Sequence, residues 1–423
     1  MSEAEAKARV EAVWRIESAR LLAGLARTVG DLDLAEDLAQ DALVAALESW
    51  PRSGVPDNPG AWLTATARNR AIDLIRRAAR FERKQEELAR EVGARFAMAR
   101  SDFDAASEQV GDDLLALMFV CCHPLLSRQA RVGLTLRLLG GLTTAEIARA
   151  FLAAEPTVAQ RLVRAKRTVR EARVPFEVPA GDELAARLPS VLEAIYLIFN
   201  EGYAASAGED WIRPALCEEA LRLGRVLAEL APRQPEAHGL IALLELQASR
   251  NRARLGPGGE PVLLLDQDRS RWDPLLIVRG RAALERAERL PGPLGPYGLQ
   301  AAIAACHARA VRAEETDWIR IAALYEALAG IAPSPVVELN RAVAVGMAFG
   351  PAAGLALVER IAAEPVLRDY HLLPAVRGDL LAKLGRGAEA AAEFERAAAL
   401  TANRRERQLL LDRAAGQPRA SPP

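Results

Sequence analysis

The sequence predicts an all-α protein, and three observations support that prediction. The chain of 423 residues is 51% hydrophobic but only 5% aromatic, and the strong helix formers alanine, leucine, arginine and glutamate dominate it. Few segments alternate apolar and polar residues with the period of two that a half-buried strand requires. Glycine and proline punctuate the second half of the chain at the spacing of successive helices.

The composition also bounds the kind of protein. A charged fraction of 26% is ordinary for a globular chain and excludes wholesale disorder. No apolar run reaches the roughly 18–20 residues of a membrane helix, and the polar N-terminus lacks the apolar core of a secretory signal. Four cysteines are too few for a disulfide framework. We therefore expect a soluble, cytoplasmic protein with no membrane partner.

The first organised block spans residues 10–83. It contains three predicted helices, at Val10–Val29, Leu34–Trp50 and Gly60–Arg83. Asp33 would cap the second helix, and Pro51 would end it. A charged segment with few large apolar residues follows at 84–113, and we interpret it as a linker.

The second predicted helix carries an acidic polar face. Asp37 and Asp41 are one turn apart, as are Glu36 and Gln40. This face is either an ordinary solvated surface or a docking surface for a basic partner. Trp62, on the next helix, is as well explained by core packing as by function.

Two helical segments are strongly basic although the whole chain has a net charge of only −1. Arg68–Lys84 and Arg161–Arg173 each have a net charge of +5. Arginines on a helix reach phosphates at short range and supply affinity for nucleic acid that does not depend on sequence. A single basic run is more often a solvated face, but two in separate blocks favour DNA binding.

The second block, residues 114–173, has the pattern of a helix-turn-helix. A short helix opens at Leu142–Ala148 behind a threonine cap, a turn follows at Ala153–Glu155, and Pro156 opens a basic helix. The second helix of this motif enters the major groove, where glutamine and arginine contact base edges. The candidate DNA-binding residues are Thr157, Gln160, Arg161, Arg164 and Lys166.

The region 184–413 contains successive helices with a repeat signal. Small and bulky residues occur at the spacings of the tetratricopeptide (TPR) helical hairpin, at Gly378, Leu381, Gly385, Ala390, Phe394 and Ala397. The alternative is an irregular helical domain with one chance match. Residues 414–423 should form a disordered tail.

Taken together, these motifs resemble a bacterial RNA polymerase sigma factor of the extracytoplasmic-function (ECF) group. Ala35–Ala42 is similar to its clamp-binding helix, Pro59–Arg77 to its −10 recognition region, and Leu142–Arg167 to its −35 helix-turn-helix. The long C-terminal part resembles the subgroup with a TPR-type extension, which we associate with Asn200–Tyr203 and Asp266–Asp273. Glu155 and Pro156 depart from the usual pattern of the reading helix.

The resemblance implies sigma region 2 at 10–83, sigma region 4 at 114–173 and a TPR-like extension at 184–413. It implies core RNA polymerase (its β′ clamp and β flap) and promoter DNA as partners, with a further protein on the extension and no cofactor. The implied polymerase contacts are Glu36, Asp37, Gln40 and Asp41. The implied −10 contacts are Arg68, Asn69, Arg76, Arg77 and Arg80. The candidate contacts of the extension are Asp266, Asp268, Arg269, Arg271 and Trp272.

Three alternatives stay open on the sequence. The Asp266–Asp273 cluster could perform acid–base or metal chemistry, although a charged network that fixes an inter-helix loop is the more ordinary interpretation. The chain could instead be a TPR-containing, DNA-binding regulator that never joins polymerase. Cys121-Cys122-His123 suggests zinc, but no second close pair supplies the remaining ligands, and we expect buried core cysteines and no metal.

Overall fold

The computed structural model describes residues 3–81, 106–151, 153–204, 207–208 and 212–417. It divides into two compact units, Met1–Ala194 and Ile195–Pro423. The predicted all-α class is confirmed, since helices make up nearly all of the regular structure in the described residues. Within those ranges, none of the helices is long and apolar enough to cross a membrane.

The first unit begins with three long helices, followed by four shorter ones and the start of an eighth. They are α1 (Glu3–Val29), α2 (Leu32–Ser53), α3 (Pro59–Phe81), α4 (Ala106–Cys121), α5 (Arg128–Leu138), α6 (Thr144–Ala150), α7 (Glu155–Glu171) and α8 (Gly181–Tyr203). Helices α1, α2 and α3 pack on one another, and α7 packs on α5 and α6. Helix α1 also packs on α4, which joins the two groups.

The ends of α2 differ from the prediction. Its N-cap is Asp31, whose carboxylate accepts the amides of Asp33 at 2.8 Å and Leu34 at 3.0 Å, so the predicted cap at Asp33 is wrong by one half-turn. The predicted stop before Pro51 is also wrong. The helix continues to Ser53 because a proline in the last turn costs only one hydrogen bond. Gly54, at φ +83°, ends the helix, and its backbone amide donates to the carbonyl of Trp50 at 3.0 Å.

The linker predicted at 84–113 lies mostly outside the described residues, and its last part is already helical in α4. The end of the third predicted helix at Arg83 lies outside them too. The Pro175–Pro179 segment separates α7 from α8. Of the predicted tail, residues 418–423 lie outside the described residues, and Ala414 and Ala415 belong to the last helix.

The second unit continues from α8 through ten further helices within its described residues. They are α9 (Pro214–Leu230), α10 (Pro235–Ala248), α11 (Pro274–Arg289), α12 (Pro296–Arg309), α13 (Trp318–Ile331), α14 (Pro335–Phe349), α15 (Pro351–Ile361), α16 (Leu372–Lys383), α17 (Gly387–Leu400) and α18 (Arg404–Ala415). Most pack on the next helix in sequence. A two-residue parallel pairing joins β1 (Ala207–Gly208) to β2 (Ala402–Asn403).

The hairpin of α16 and α17 packs as its sequence pattern predicts. Phe394, Ala390 and Ala397 are fully buried. A Cβ on Gly378 would lie 2.9 Å from the Phe394 ring, so glycine is what lets the two helices approach. The assignment of the whole region as TPR repeats remains a prediction.

Candidate functional site

The predicted acidic face of α2 divides into a buried part and an exposed part. Asp37, Gln40 and Asp41 are exposed, and Asp41 pairs with Arg70 of α3 at 3.1 Å. The Glu36 side chain, by contrast, is only 11% exposed. The sequence grouped Glu36 with the other three, but the structure separates it from them.

Glu36 is buried by two cations from the helix-turn-helix region. Arg137 of α5 donates through Nε to Glu36 Oε1 at 2.6 Å, and Lys166 Nζ of α7 lies 3.1 Å from Oε2. Lys166 also lies 2.5 Å from Asp33. Burial alone would lower the pKa of Lys166, but its carboxylate partners outweigh burial and raise the pKa. Lys166 is therefore a charged ammonium held between two carboxylates.

Arg170 extends the same set of contacts. Its Nη1 lies 3.4 Å from Asp33 and 3.6 Å from Asp31, at the N-terminal end of α2. We call the six residues the α2 cluster: Asp31, Asp33, Glu36, Arg137, Lys166 and Arg170. It joins α2 to two helices of the second block, so a sequence read in separate blocks could not reveal it.

A second ion pair crosses between α1 and α4. Arg27 Nε lies 3.0 Å from Asp113 Oδ1. Burial raises the pKa of Asp113 from its ordinary 3.8 to about 6, although Arg27 opposes the shift. Asp113 therefore changes its charge near pH 6.

The predicted −10 residues lie on α3, from its middle to its last turn. Asn69 is exposed, and Arg68 is partly buried, with its Nε atom lacking a hydrogen-bond partner among the described residues. The side chains of Arg76, Arg77 and Arg80 lie outside the described part of the chain. Trp62 packs edge-to-face against the buried Trp50, with ring centroids 5.4 Å apart. This contact favours a packing role for Trp62 over a role in DNA binding.

The helix-turn-helix has the local structure that its sequence predicts. Thr143 caps α6 in a reciprocal capping box: its amide donates to Glu146 Oε2 at 2.8 Å, and its hydroxyl accepts the Glu146 amide at 3.2 Å. Helix α7 then opens at Glu155 with Pro156 in its first turn. The turn predicted at Ala153–Glu155 therefore ends one residue earlier, at Ala154, because Glu155 is already helical.

Helix α7 has one buried face and one exposed face. The buried residues are Val158, Leu162, Ala165 and Val169. Thr157, Gln160 and Arg164 are exposed, and Arg161 is partly exposed. The Lys166 side chain, only 13% exposed, is the exception among the predicted −35 residues because it lies in the α2 cluster.

In the second unit, the loop before α11 is held by hydrogen bonds to the backbone. The Arg269 guanidinium donates to the carbonyls of His307 at 2.6 Å and Ala310 at 2.7 Å, and to the Thr316 hydroxyl at 3.1 Å. Arg269 also lies over the ring of the buried Trp272, 4.9 Å from its centroid. Asp273 caps α11.

The remaining charged residues of this loop are exposed. Asp266, Asp268 and Arg271 lie on the surface, and Arg271 donates to the carbonyl of Leu255 at 3.3 Å. Hydrogen bonds from Ser270 hold the pKa of Asp268 below its usual value. A carboxylate of that kind is a poor general acid, and the described residues contain no group of three or more possible metal ligands.

The two stretches singled out in the second unit meet at Arg250. Arg250 donates to the Tyr203 hydroxyl and lies 5.8 Å from the centroid of the Trp272 ring. Arg254 lies 3.6 Å from the centroid of the Tyr203 ring. We call this set the Trp272 cluster: Tyr203, Arg250, Arg254, Arg269 and Trp272. The sequence indicated both stretches but not the arginines that join them.

Two residues next to the Trp272 cluster, His307 and Gly202, show how tightly this part of the second unit is packed. Burial lowers the pKa of His307 to about 3, and the charges of Arg250 and Arg269 add to the effect. A Cβ on Gly202 would lie 2.6 Å from the amide nitrogen of Cys217, so α8 and α9 touch through a glycine. These residues act inside the second unit as parts of its packing.

The four cysteines are buried, as expected. Burial raises the pKa of the Cys122 thiol to about 11, and its sulfur lies 3.3 Å from the Thr135 hydroxyl. Such thiols are unreactive and are poor metal ligands.

Comparison with known families supports the division into blocks. Residues 16–81 match the family description of sigma-70 region 2, and residues 116–169 match that of sigma-70 region 4. Residues 187–288 match a family of unknown function. The exposed helix-turn-helix and the three-helix block before it therefore define a sigma-type transcription protein.

Similar proteins agree with that class. An uncharacterised protein of Rhizobium meliloti is 45% identical over 94% of both chains. The probable ECF RNA polymerase sigma factor SigI of Mycobacterium tuberculosis is 31% identical over 42% of this chain and 60% of its own length. No solved structure matches the chain. The chain thus contains sigma-70 regions 2 and 4, is similar to an ECF sigma factor over these regions, and carries a long helical extension after region 4.

Proposed function

We propose that the protein binds core RNA polymerase through α2 and reads the −35 and −10 promoter elements through α7 and α3. The extension of the second unit adjusts that activity. The observation that carries the proposal is the orientation of α7. Its apolar face is buried, while Thr157, Gln160 and Arg164 point to solvent near the end that enters a major groove in this motif. Because polymerase acts on the chromosome, the protein would work in the cytoplasm.

The polymerase contact is assigned to the exposed part of α2. Asp37, Gln40 and Asp41 form an acidic surface suited to a basic partner. Asp37→Lys with Asp41→Lys should abolish co-elution with core polymerase in size-exclusion chromatography. Glu48→Lys with Asp57→Lys makes the same change of charge at two other exposed positions and should leave co-elution intact. Equal behaviour of the two double variants would remove the assignment.

The −35 contact is assigned to the first turns of α7. Gln160→Ala or Arg161→Ala should weaken binding by about 1–3 kcal/mol and relax specificity at one base pair. Arg170→Ala, at the far end of the helix, should weaken binding to all sequences alike and reduce its salt dependence. Competition binding across a set of single-base promoter variants separates the two patterns. Identical patterns would mean that α7 is not the reading helix.

The −10 contact is assigned to α3. The exposed amide of Asn69 is suited to an unstacked base, and it is preceded on α3 by Arg68, which is partly buried and whose Nε has no hydrogen-bond partner among the described residues. Arg76, Arg77 and Arg80 would contact phosphates. Asn69→Ala should reduce open-complex formation, measured by permanganate footprinting, more than it reduces binding to duplex DNA.

The extension is proposed to act through the exposed residues of the loop before α11. Arg269 and Trp272 hold that loop, so Asp266, Asp268 and Arg271 are presented at a fixed surface. Reversing the charges of Asp268 and Arg271 should change promoter-dependent transcription as removal of the residues after Arg173 does. Transcription that is unaffected by either change would leave the extension without a regulatory role.

A further inference from the structure

We propose that the acidic N-terminal end of α2 is a docking site for the basic C-terminal half of α7 in the same chain. The docked form is closed: it withholds Glu36 from polymerase and Lys166 and Arg170 from DNA. The inference rests on the proposed function, since it concerns when those surfaces become available.

Both partners are occupied by the contact. Arg137 contacts Glu36 Oε1 and Lys166 contacts Oε2, so a basic residue of another protein would have to compete with two cations of the same chain for this carboxylate. Lys166 contacts Asp33 and Glu36 together. In this position Lys166 is only 13% exposed and its charge is paired with two carboxylates, so it is not presented to a DNA phosphate.

The docking covers only part of α7. Gln160 and Arg164 are exposed, and they precede Lys166 by more than one turn and by about half a turn, respectively. The base-reading end of the helix is thus free while the end suited to phosphates is held. The closed form should therefore lower affinity for all DNA sequences alike rather than change which sequence is preferred.

The contact has the properties of one that opens. It is made of charge pairs, and the Arg170 side chain is 52% exposed at 3.4 Å from Asp33. Beside the pairs lies a cleft of about 230 Å³, lined by Gly30, Asp31, Val169 and Arg170 among others, so the surfaces are not closely packed here. Salt screens such pairs, and a DNA backbone competes for the same cations.

The test is a distance measurement on the full chain without polymerase. Val44 of α2 and Val163 of α7 are 48% and 60% exposed, and the native cysteines are buried, so Val44→Cys and Val163→Cys provide two selective spin-label sites. Double electron–electron resonance should give one short, narrow distance distribution at about 0.05 M NaCl and a longer, broader one at about 1 M.

Three variants decide the cause. Asp33→Lys places a cation against Lys166 and Arg170 and should lengthen and broaden the distribution at low salt. Adding Lys166→Asp restores an attractive pair and should shorten it again. Glu48→Lys makes the same charge change at an exposed position of α2 and should leave the distribution unchanged. An Asp33→Lys distribution identical to that of the parent protein would overturn the proposal.

A second readout links the closed form to function. If closed outweighs open by ten to one, Asp33→Lys should tighten binding to any duplex DNA about tenfold relative to Glu48→Lys, which carries the same added charge. Equal affinities of the two variants would contradict the proposal. If circular dichroism shows that Asp33→Lys does not fold, the salt titration of the parent protein is the deciding test. A distance distribution that does not change with salt would then overturn the proposal. Absence of transcription with polymerase would instead refute the proposed function, whatever the distances.

Discussion

The α2 cluster and the Trp272 cluster both depend on buried or partly buried cationic side chains, but these side chains have different partners. In the first, Arg137 and Lys166 pair with a carboxylate of another helix. In the second, Arg269 donates to two backbone carbonyls and a threonine hydroxyl beside a buried tryptophan. When two helices joined by charge pairs separate, water solvates both partners again and offsets much of the lost attraction. Buried carbonyls that lose their donor have no such replacement, so the Trp272 cluster is a fixed part of the fold.

The strongest test of this contrast is Arg269→Ala. The change removes three hydrogen bonds and leaves their acceptors unpaired, so we expect the second unit to lose about 3 kcal/mol of unfolding free energy. Urea unfolding followed by circular dichroism measures the loss. Arg271→Ala, which removes one long bond at the surface, should change the free energy by less than about 0.5 kcal/mol. Equal losses would contradict the fixed role of Arg269.

The close approach of α8 and α9 gives the next largest effect. A Cβ on Gly202 would meet the backbone of Cys217 at 2.6 Å, so Gly202→Ala should destabilise the second unit by about 2 kcal/mol. At Gly330, in α13, a Cβ would meet nothing within 4 Å. Gly330→Ala should therefore stabilise the protein by up to about 1 kcal/mol. Relative to the parent protein, the midpoint of thermal unfolding should fall for Gly202→Ala and rise for Gly330→Ala; shifts in the same direction would contradict this account.

Removing a cation from the α2 cluster should have a smaller effect. Arg137→Ala leaves Glu36 with Lys166 but also removes the hydrogen bond from Arg137 to the Leu142 carbonyl at 3.2 Å, so we expect a loss of about 1–2 kcal/mol at low salt, part of which shrinks as salt is added. Unfolding curves at two salt concentrations measure the difference. A loss as large as that of Arg269→Ala, independent of salt, would erase the distinction between the clusters.

The smallest expected effect is a pH dependence from Asp113. Its pKa is raised from 3.8 to about 6, first by burial and against the pull of Arg27. A raised carboxyl pKa means that the folded protein binds the proton more tightly than the unfolded chain does. The associated stability is therefore complete below pH 3.8 and is lost as the pH rises through about 6.

Asp113→Asn removes this dependence. As the pH falls from 7 to about 5, the unfolding midpoint of the parent protein should rise relative to that of the variant. Two midpoints that move in parallel across this range would show that Asp113 does not titrate there.

Much of the site followed from local sequence. Thr143 provides the threonine cap predicted for α6, and Pro156 lies in the first turn of α7, because caps and first turns depend on residues three or four apart. The burial of the cysteines also followed from their type. Both ends of α2 were predicted incorrectly because neighbouring residues of similar type could each end the helix. At the N-terminus, Asp31 rather than Asp33 is the cap, and at the C-terminus Gly54 rather than Pro51 ends the helix.

The α2 cluster could not be predicted in this way. Glu36 lies 101 residues from Arg137 and 130 from Lys166 along the chain. Hydrophobic periodicity and local charge describe each helix alone, and they gave Glu36 the same solvent-facing role as Gln40. Only the packing of α1 on α4 and of α2 on α7 brings these charges together.

Transcription initiation is the most direct test of the account. Purified core polymerase, genomic DNA of the source organism and the full chain should yield RNAs whose 5′ ends follow a shared pair of upstream elements. Asp37→Lys with Asp41→Lys should abolish these RNAs, while Asp33→Lys should give them at lower protein concentration than Glu48→Lys does. RNAs that start at the same places without the chain, or that survive the Asp37 and Asp41 reversals, would contradict the assignment of α2 to polymerase.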